Sequence, residues 1–116
     1  MARRTFVDRS QCSRSTIFPG VDVHAAAGEQ MMLSFVEIQP NAVVETHSHP
    51  HEQVGMVIRG QAVFRVGEEE KVLGPGEMYF IPGGVEHRVE ALDEGCQALD
   101  VFHPVRDEYL RCKEPV

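Results

Sequence analysis

The chain has 116 residues, 42% of them hydrophobic, and its eighteen acidic and eleven basic residues give a net charge of −7. This length suits one domain with one core, and an acidic balance without a Lys/Arg block argues against nucleic acid as a partner. No segment approaches the roughly 18 apolar residues of a membrane span, so no membrane partner is expected either.

The cysteines and the first residues bear on location. Cys12, Cys96 and Cys112 are an odd number, far apart, and form no CxxC pair. A domain of this size does not need disulfides, so reduced thiols are the better interpretation. The N-terminal stretch is basic but lacks the apolar region of a secretory signal. We therefore expect a soluble, unprocessed, cytoplasmic protein.

Short apolar runs predict an all-β protein with a single domain over residues 1–116. N-terminal strands are expected within about residues 1–38. Runs rich in Val, Ile and Phe lie at residues 31–38, 52–58, 61–66, 71–74, 77–81, 86–92 and 96–102. Turn-forming stretches separate these runs, among them residues 59–61 and 92–95. The one helical pattern is short, at residues 106–113. Repeated short strands favour a sandwich or a barrel.

Polar side chains at every second position precede the run at 52–58. They are His47, His49, His51 and Gln53. Side chains at i and i+2 of a strand share a face, so His47 and His49 point the same way. Pro50 disturbs the strand, so one of His51 and Gln53 is expected to leave the site.

A further histidine follows a Pro/Gly-rich turn at residues 82–84. This is His87, which opens a predicted strand where a side chain can be aimed inward. A lone histidine beside a strand is usually packed or solvated. Two histidines at i and i+2, with a third after such a turn, favour a metal site.

At these residues the sequence resembles the cupins. Their first motif, PG-x5-HxH-x3,4-E-x6-G, is matched in spacing by residues 40–60, and their second, G-x5-PxG-x2-H-x3-N, by residues 76–91. The resemblance implies a double-stranded β-helix, or jelly-roll barrel. Its interior would hold one divalent metal ion per chain (Ni, Zn, Mn, Co or Fe) on His47, His49, Gln53 and His87.

The departures from the cupin motifs are informative. Asn41 replaces a glycine, which a tight turn tolerates because Asn adopts positive φ, and Ala91 stands where Asn is usual. Gln53 replaces the common Glu. A neutral amide and three imidazoles leave the charge of a divalent ion uncancelled, which favours an anionic substrate. The alternative is that Gln53 only forms a hydrogen bond near a three-histidine site.

The run "DVFHPVR" at residues 100–106, together with the histidine motif, resembles the KdgF group of cupins, linked to pectin and alginate breakdown. This resemblance implies an enzyme that opens the ring of a 4,5-unsaturated uronate monosaccharide, the product of polysaccharide lyases, to its linear keto form. Carried over by position, Asp100 would be the acid/base residue. Phe102 would shape the sugar pocket, and Arg106 would hold the substrate carboxylate.

The residues themselves agree in part with these roles. Ala98, Asp100 and Phe102 alternate onto one face of the last strand, and an interior carboxylate without a function would be costly. Arg106 suits two-pronged binding of a carboxylate. Simpler alternatives are an Asp on the solvent face, a Phe in the core and an Arg paired with one of the two acidic residues after it.

Two other functions and one assembly state follow from the same sequence. The alternatives are a cupin-type metal-dependent dioxygenase and a non-catalytic cupin that binds a sugar or another small molecule. The strand at 53–58 is apolar on both sides, so its outer face must be covered by the N-terminal strands or by another subunit. We therefore predict a homodimer.

Overall fold

Eight antiparallel strands make up most of the protein in this computed structural model, which describes residues 5–110. They are β1 (Ser13–Phe18), β2 (Val21–Ala27), β3 (Met32–Ile38), β4 (Val43–His47), β5 (Glu52–Val66), β6 (Glu69–Leu73), β7 (Met78–Ile81) and β8 (His87–His103). Two short 3-10 helices, Arg9–Gln11 and Asp107–Leu110, flank them. The all-β prediction is confirmed.

The two long strands, β5 and β8, pair with each other and contribute to both layers of the fold. One layer has the order β1-β2-β3-β8-β5-β7 and uses the C-terminal half of β8. The other has the order β4-β8-β5-β6 and uses the N-terminal half of β8. The buried apolar side chains fill the space between the layers. This is the predicted jelly-roll barrel.

The turns predicted at residues 59–61 and 92–95 are wrong, because both stretches lie inside long strands. Gly60 and Gly95 have φ of 75° and 77°, and the register of β5 against β8 shifts on both sides of Gly60. A glycine in the left-handed region forms a bulge that bends a strand without ending it. A Cβ at Gly60 would collide with the Gly95 carbonyl. The two paired strands therefore approach each other most closely where neither carries a side chain.

The two ends of the chain differ from the prediction. Residues 5–12 contain a 3-10 turn capped by Asp8, and the strands begin only at Ser13. The C-terminal helix is a 3-10 turn over residues 107–110, and the rest of the predicted segment, with Cys112, lies outside the described residues. Cys12 and Cys96 are free thiols, as expected. Within residues 5–110 no helix has the length and apolar character that crossing a membrane requires.

The outer face of the larger layer is apolar. Two neighbouring rows of side chains run across β7, β5, β8 and β3. The first row contains Phe80, Val54, Val101 and Leu33, and the second contains Met78, Met56, Leu99 and Phe35. Phe80 is 71% exposed and Met78 64% exposed. β1 and β2 extend this layer at its edge, and the Arg9 guanidinium lies over the Phe35 ring, 4.7 Å from its centroid. Coverage by another subunit remains a prediction.

Candidate metal centre

Three histidines meet at one end of the barrel. His47 ends β4 and His87 opens β8, and the two lie opposite each other in the register of these strands. His49 lies in the loop between β4 and β5. One ring nitrogen from each of the three lies within 4.8 Å of the others, so this cluster could hold a metal ion. The structure thus brings together one end of each of the two sequence motifs.

The Pro/Gly turn before β8 brings these two segments together. The Gly84 N–H donates to the His49 carbonyl at 2.8 Å. A Cβ at Gly83 would collide with the Pro50 carbonyl, so only a glycine permits this close packing. Gly84 itself has a backbone φ of 82°, a value that residues other than glycine rarely adopt. The turn therefore fixes the position of His87 relative to His49.

All three imidazoles are oriented in the same manner. Each Nδ1 lies within hydrogen-bond distance of a backbone carbonyl, with distances of 2.8 Å for His47, 3.1 Å for His49 and 2.9 Å for His87. A carbonyl only accepts, so Nδ1 carries the proton and Nε2 presents a lone pair. Nε2 of His87 is buried and has no hydrogen-bond partner among the described residues. Imidazoles held by their other nitrogen are typical of metal ligands.

Burial favours the neutral form of two of these side chains. It lowers the pKa of His49, and it lowers the pKa of His87 to about 4. Both imidazoles are therefore uncharged near neutral pH. A neutral imidazole is the form that binds a metal ion.

Gln53 lies beside the histidines on β5. Its Oε1 is 3.0 Å from Nε2 of His49. Both atoms are acceptors when the His49 proton is on Nδ1, so a cation between them would make this approach favourable. His51 lies outside the cluster, with its ring centroid 5.5 Å from that of His49. Of the two residues, His51 is the one that leaves the site, and Gln53 as a metal ligand remains a prediction.

Asp100 faces the interior and is 6% exposed, so the solvent-face alternative is wrong. Its carboxylate accepts hydrogen bonds from the Tyr79 hydroxyl and from the Gln53 side chain. Burial raises the pKa of Asp100 to about 6, although these hydrogen bonds and the nearby Arg106 guanidinium act to lower it. Phe102 follows on the same face, buried in the core, with its ring centroid 5.6 Å from that of His49.

Arg106 lies where the barrel opens. Its guanidinium carbon is 4.1 Å from the Tyr109 ring centroid and 5.4 Å from that of Phe102. Its Nε donates to Glu108 at 3.1 Å, so the alternative of pairing with a following acidic residue is also realised. Arg106 lines an inner cavity of about 40 Å³, which also contains Gln53 and Asp100. It also lines a mouth of about 320 Å³ between β1 and the C-terminal 3-10 helix.

Sequence reasoning missed Tyr79 and Tyr109, which line the inner cavity, and Gly55, which packs against Tyr79. Tyr79 alternates with Ile81 on β7 and faces inward, a placement that its apolar run already indicated. Gly55 is an isolated glycine in a strand, which signals a close approach of neighbours. A Cβ there would lie 2.5 Å from the Tyr79 ring. Tyr109 had no signal, because its position depends on the packing of the C-terminal 3-10 helix.

Comparisons with known proteins agree with this geometry. Residues 34–102, more than half of the chain, match the model of the cupin domain. The pectin degradation protein KdgF of Dickeya dadantii is 28% identical over 83 residues, 71% of this chain and 76% of that protein. The solved structure of KdgF from Halomonas sp. has a TM-score of 0.81 at 26% identity, covering 91% of this chain and 98% of that one.

A larger protein shares the same domain. The oxalate decarboxylase OxdC of Bacillus subtilis is 29% identical over 72 residues, 58% of this chain but only 19% of the decarboxylase. This chain therefore corresponds to a small part of that protein. Given the jelly-roll barrel, the converging histidines and the match over both motifs, the chain belongs to the cupin family.

Proposed function

We propose that this protein is a metal-dependent enzyme that opens the ring of 4,5-unsaturated uronate monosaccharides to their linear keto form. The observation that carries the proposal is a buried carboxylate, Asp100, in the same cavity as Arg106 and two histidines of the cluster, His47 and His87. A metal site, an acid/base group and a cation for the substrate carboxylate are what this reaction needs. The similarity to proteins named KdgF supports the same class of substrate.

The residues of the site fit one divalent metal ion. His47, His49 and His87 would hold it with their bare Nε2 atoms, and Gln53 would add its carbonyl oxygen. This donor set accepts Ni, Zn, Mn, Co or Fe. When bound, such an ion acts as a Lewis acid toward a sugar oxygen. All four ligands are neutral, so the site stays positive and suits an anionic sugar.

Arg106 is assigned the role of binding the substrate carboxylate. A guanidinium has five N–H donors, and Glu108 takes up only one edge of it. Ligand pockets commonly have volumes of about 300–1,000 Å³. The mouth, at about 320 Å³, falls in this range, whereas the inner cavity of about 40 Å³ does not. The sugar ring therefore occupies the mouth and turns its reacting end toward the inner cavity, which Asp100 and Phe102 line.

Asp100 is assigned the proton transfer. An unsaturated uronate already contains an enol ether conjugated to its carboxylate, so ring opening needs proton transfers and stabilisation of a developing enolate, without redox chemistry. A carboxyl whose pKa is raised to about 6 by burial can both accept and donate a proton near neutral pH. This property distinguishes Asp100 from the exposed acidic residues of the surface.

The test uses the metal-loaded protein and a lyase-generated unsaturated uronate. The parent should remove the ultraviolet absorbance of the conjugated double bond. With metal supplied at saturating concentration, Asp100→Asn should lower kcat by roughly 10²–10⁴-fold, and Arg106→Ala should keep the metal and mainly raise KM. Asp93→Asn, an exposed position on the same strand, is the matched control.

Three results would contradict the proposal. If both variants act at the parental rate, the assignments of Asp100 and Arg106 are wrong. A metal-loaded parent that binds the sugar without consuming it would be a binding cupin. Oxygen uptake with an iron-loaded parent would instead indicate an oxygenase.

We also propose that two copies associate through the apolar outer face. A twofold axis would place the same rows of both subunits against each other. Exposed apolar surface on adjacent strands is the usual mark of such an interface.

A further inference from the structure

The two ends of the Gln53 amide have different partners. Its Oε1 faces Nε2 of His49 at 3.0 Å, and its amino group donates to the Asp100 carboxylate. An amide has one accepting end and one donating end, whereas a carboxylate only accepts. The position of Asp100 therefore determines which end of Gln53 is turned toward the histidines.

Asp100 is itself held from the other side. The Tyr79 hydroxyl donates to its Oδ1. Gly55 lies between them in the sheet, paired with Tyr79 on β7 and with Asp100 on β8. The missing side chain leaves the space in which the hydroxyl and the carboxylate meet. Tyr79, Asp100 and Gln53 are all buried, so water does not substitute for these contacts.

We infer that Tyr79 and Asp100 act as a positioning pair that orients the Gln53 carbonyl toward the metal and makes glutamine, rather than the usual cupin glutamate, the residue that fits position 53. A glutamate there would set two carboxylates against each other in a buried site, and only the uptake of a proton would supply a donor between them. The inference rests on the metal site proposed above. It does not depend on the reaction.

An exchange of the two side chains tests this pairing. Gln53→Glu alone leaves two carboxylates in contact. Adding Asp100→Asn restores a donor, because the new amide can donate to the glutamate and still accept from Tyr79. The exchanged protein should therefore regain what the single variant loses. A glutamate that is unfavourable only because it is buried would not be rescued by a change at residue 100.

The readouts are the melting temperature of the metal-free protein and the affinity for Co²⁺ by chelator competition, so catalysis is not needed. Gln53→Glu should have a lower melting temperature than the parent. It should also bind Co²⁺ at least tenfold more weakly than the exchanged protein, because losing the outer partner of a metal ligand typically costs roughly 10–100-fold in affinity. Gln61→Glu, the same change at an exposed position of β5, should alter neither readout.

Tyr79→Phe provides a second test if the glutamate variant does not fold. Losing the hydroxyl should shift the Co²⁺ absorption bands and weaken Co²⁺ binding, because Gln53 is then less firmly oriented. Equal affinities in the single and exchanged variants would overturn the inference, as would a Tyr79→Phe protein with parental Co²⁺ bands and affinity. If the parent binds no Co²⁺, the proposed metal site is wrong. The pairing is then tested by melting temperature alone, and an exchanged protein that melts no higher than Gln53→Glu would refute it.

Discussion

Gly55→Ala should disturb both folding and activity, although it adds a single methyl group. A Cβ at this position would lie 2.5 Å from the Tyr79 ring and closer still to the Asp100 carboxylate. Real Cβ atoms do not approach other heavy atoms this closely. Both neighbours are buried on adjacent strands, so neither can move away without shifting a strand or breaking the hydrogen bond between them.

The size of the effect follows from the packing and the length of the chain. Overpacking of a core costs about 1–3 kcal/mol. Unfolding entropy of about 2.1 cal/mol/K per residue amounts to about 0.24 kcal/mol/K for 116 residues. The melting temperature should therefore fall by about 4–12 °C. A displacement of Asp100 by about 1 Å should also lower activity by roughly 10²-fold.

Thermal unfolding and the uronate assay measure the two effects on the same preparation. Gly74→Ala is the matched control, because Gly74 is also buried but its Cβ would have no neighbour nearer than 3.6 Å. The control should melt within a few degrees of the parent. A Gly55→Ala protein with the parental melting temperature and rate would refute the argument that Gly55 provides the space for Asp100.

Three further predictions concern the metal, the assembly and a thiol. His87→Ala should weaken divalent metal binding by more than the roughly 10–100-fold that an outer partner costs, as measured by chelator competition, and parental affinity would place the metal elsewhere. Phe80→Lys puts a charge into the apolar row and should give a monomer by light scattering at micromolar concentration, whereas a monomeric parent would exclude the dimer. Burial raises the pKa of Cys96 to about 11, so at pH 8 a thiol reagent should modify Cys96 only after unfolding, whereas Cys12 should react in the folded protein. Mass spectrometry of the peptides measures which thiol is modified first, and modification of Cys96 before Cys12 would contradict the prediction.

The histidine cluster could be predicted from sequence because local rules determine it. The spacing of His47 and His49 and the Pro/Gly turn before His87 are both local features. β4 ends at His47 and His49 lies in the loop after it, so strand alternation is not what directs these two side chains. The contact of Gln53 with Asp100 could not be predicted in this way. It depends on β5 and β8 lying side by side, which brings together residues far apart in the chain.

The bends in the long strands escaped prediction for a related reason. Glycine with polar neighbours is as typical of a turn as of a bulge. Which of the two forms is decided by the partner strand, and here Gly60 and Gly95 meet each other across the pair. The sequence of either segment alone does not contain that information.

The bulge at Gly95 also resolves a problem of parity. His87 and Asp100 stand an odd number of residues apart on one strand, β8. In an unbroken strand such residues face opposite sides. Both are buried here, because the buried positions are odd-numbered before the bulge and even-numbered after it. β5 changes in the same manner, from Gln53 and Val57 to Ala62 and Phe64.

The irregular stretch at residues 92–95 therefore lets a single strand supply both a histidine of the metal cluster and the carboxylate of the cavity. Deleting Gly95 would leave every functional side chain in the sequence. It would nevertheless reverse the alternation of the residues after it, which would turn Asp100 to the outside and bring Val101 into its place.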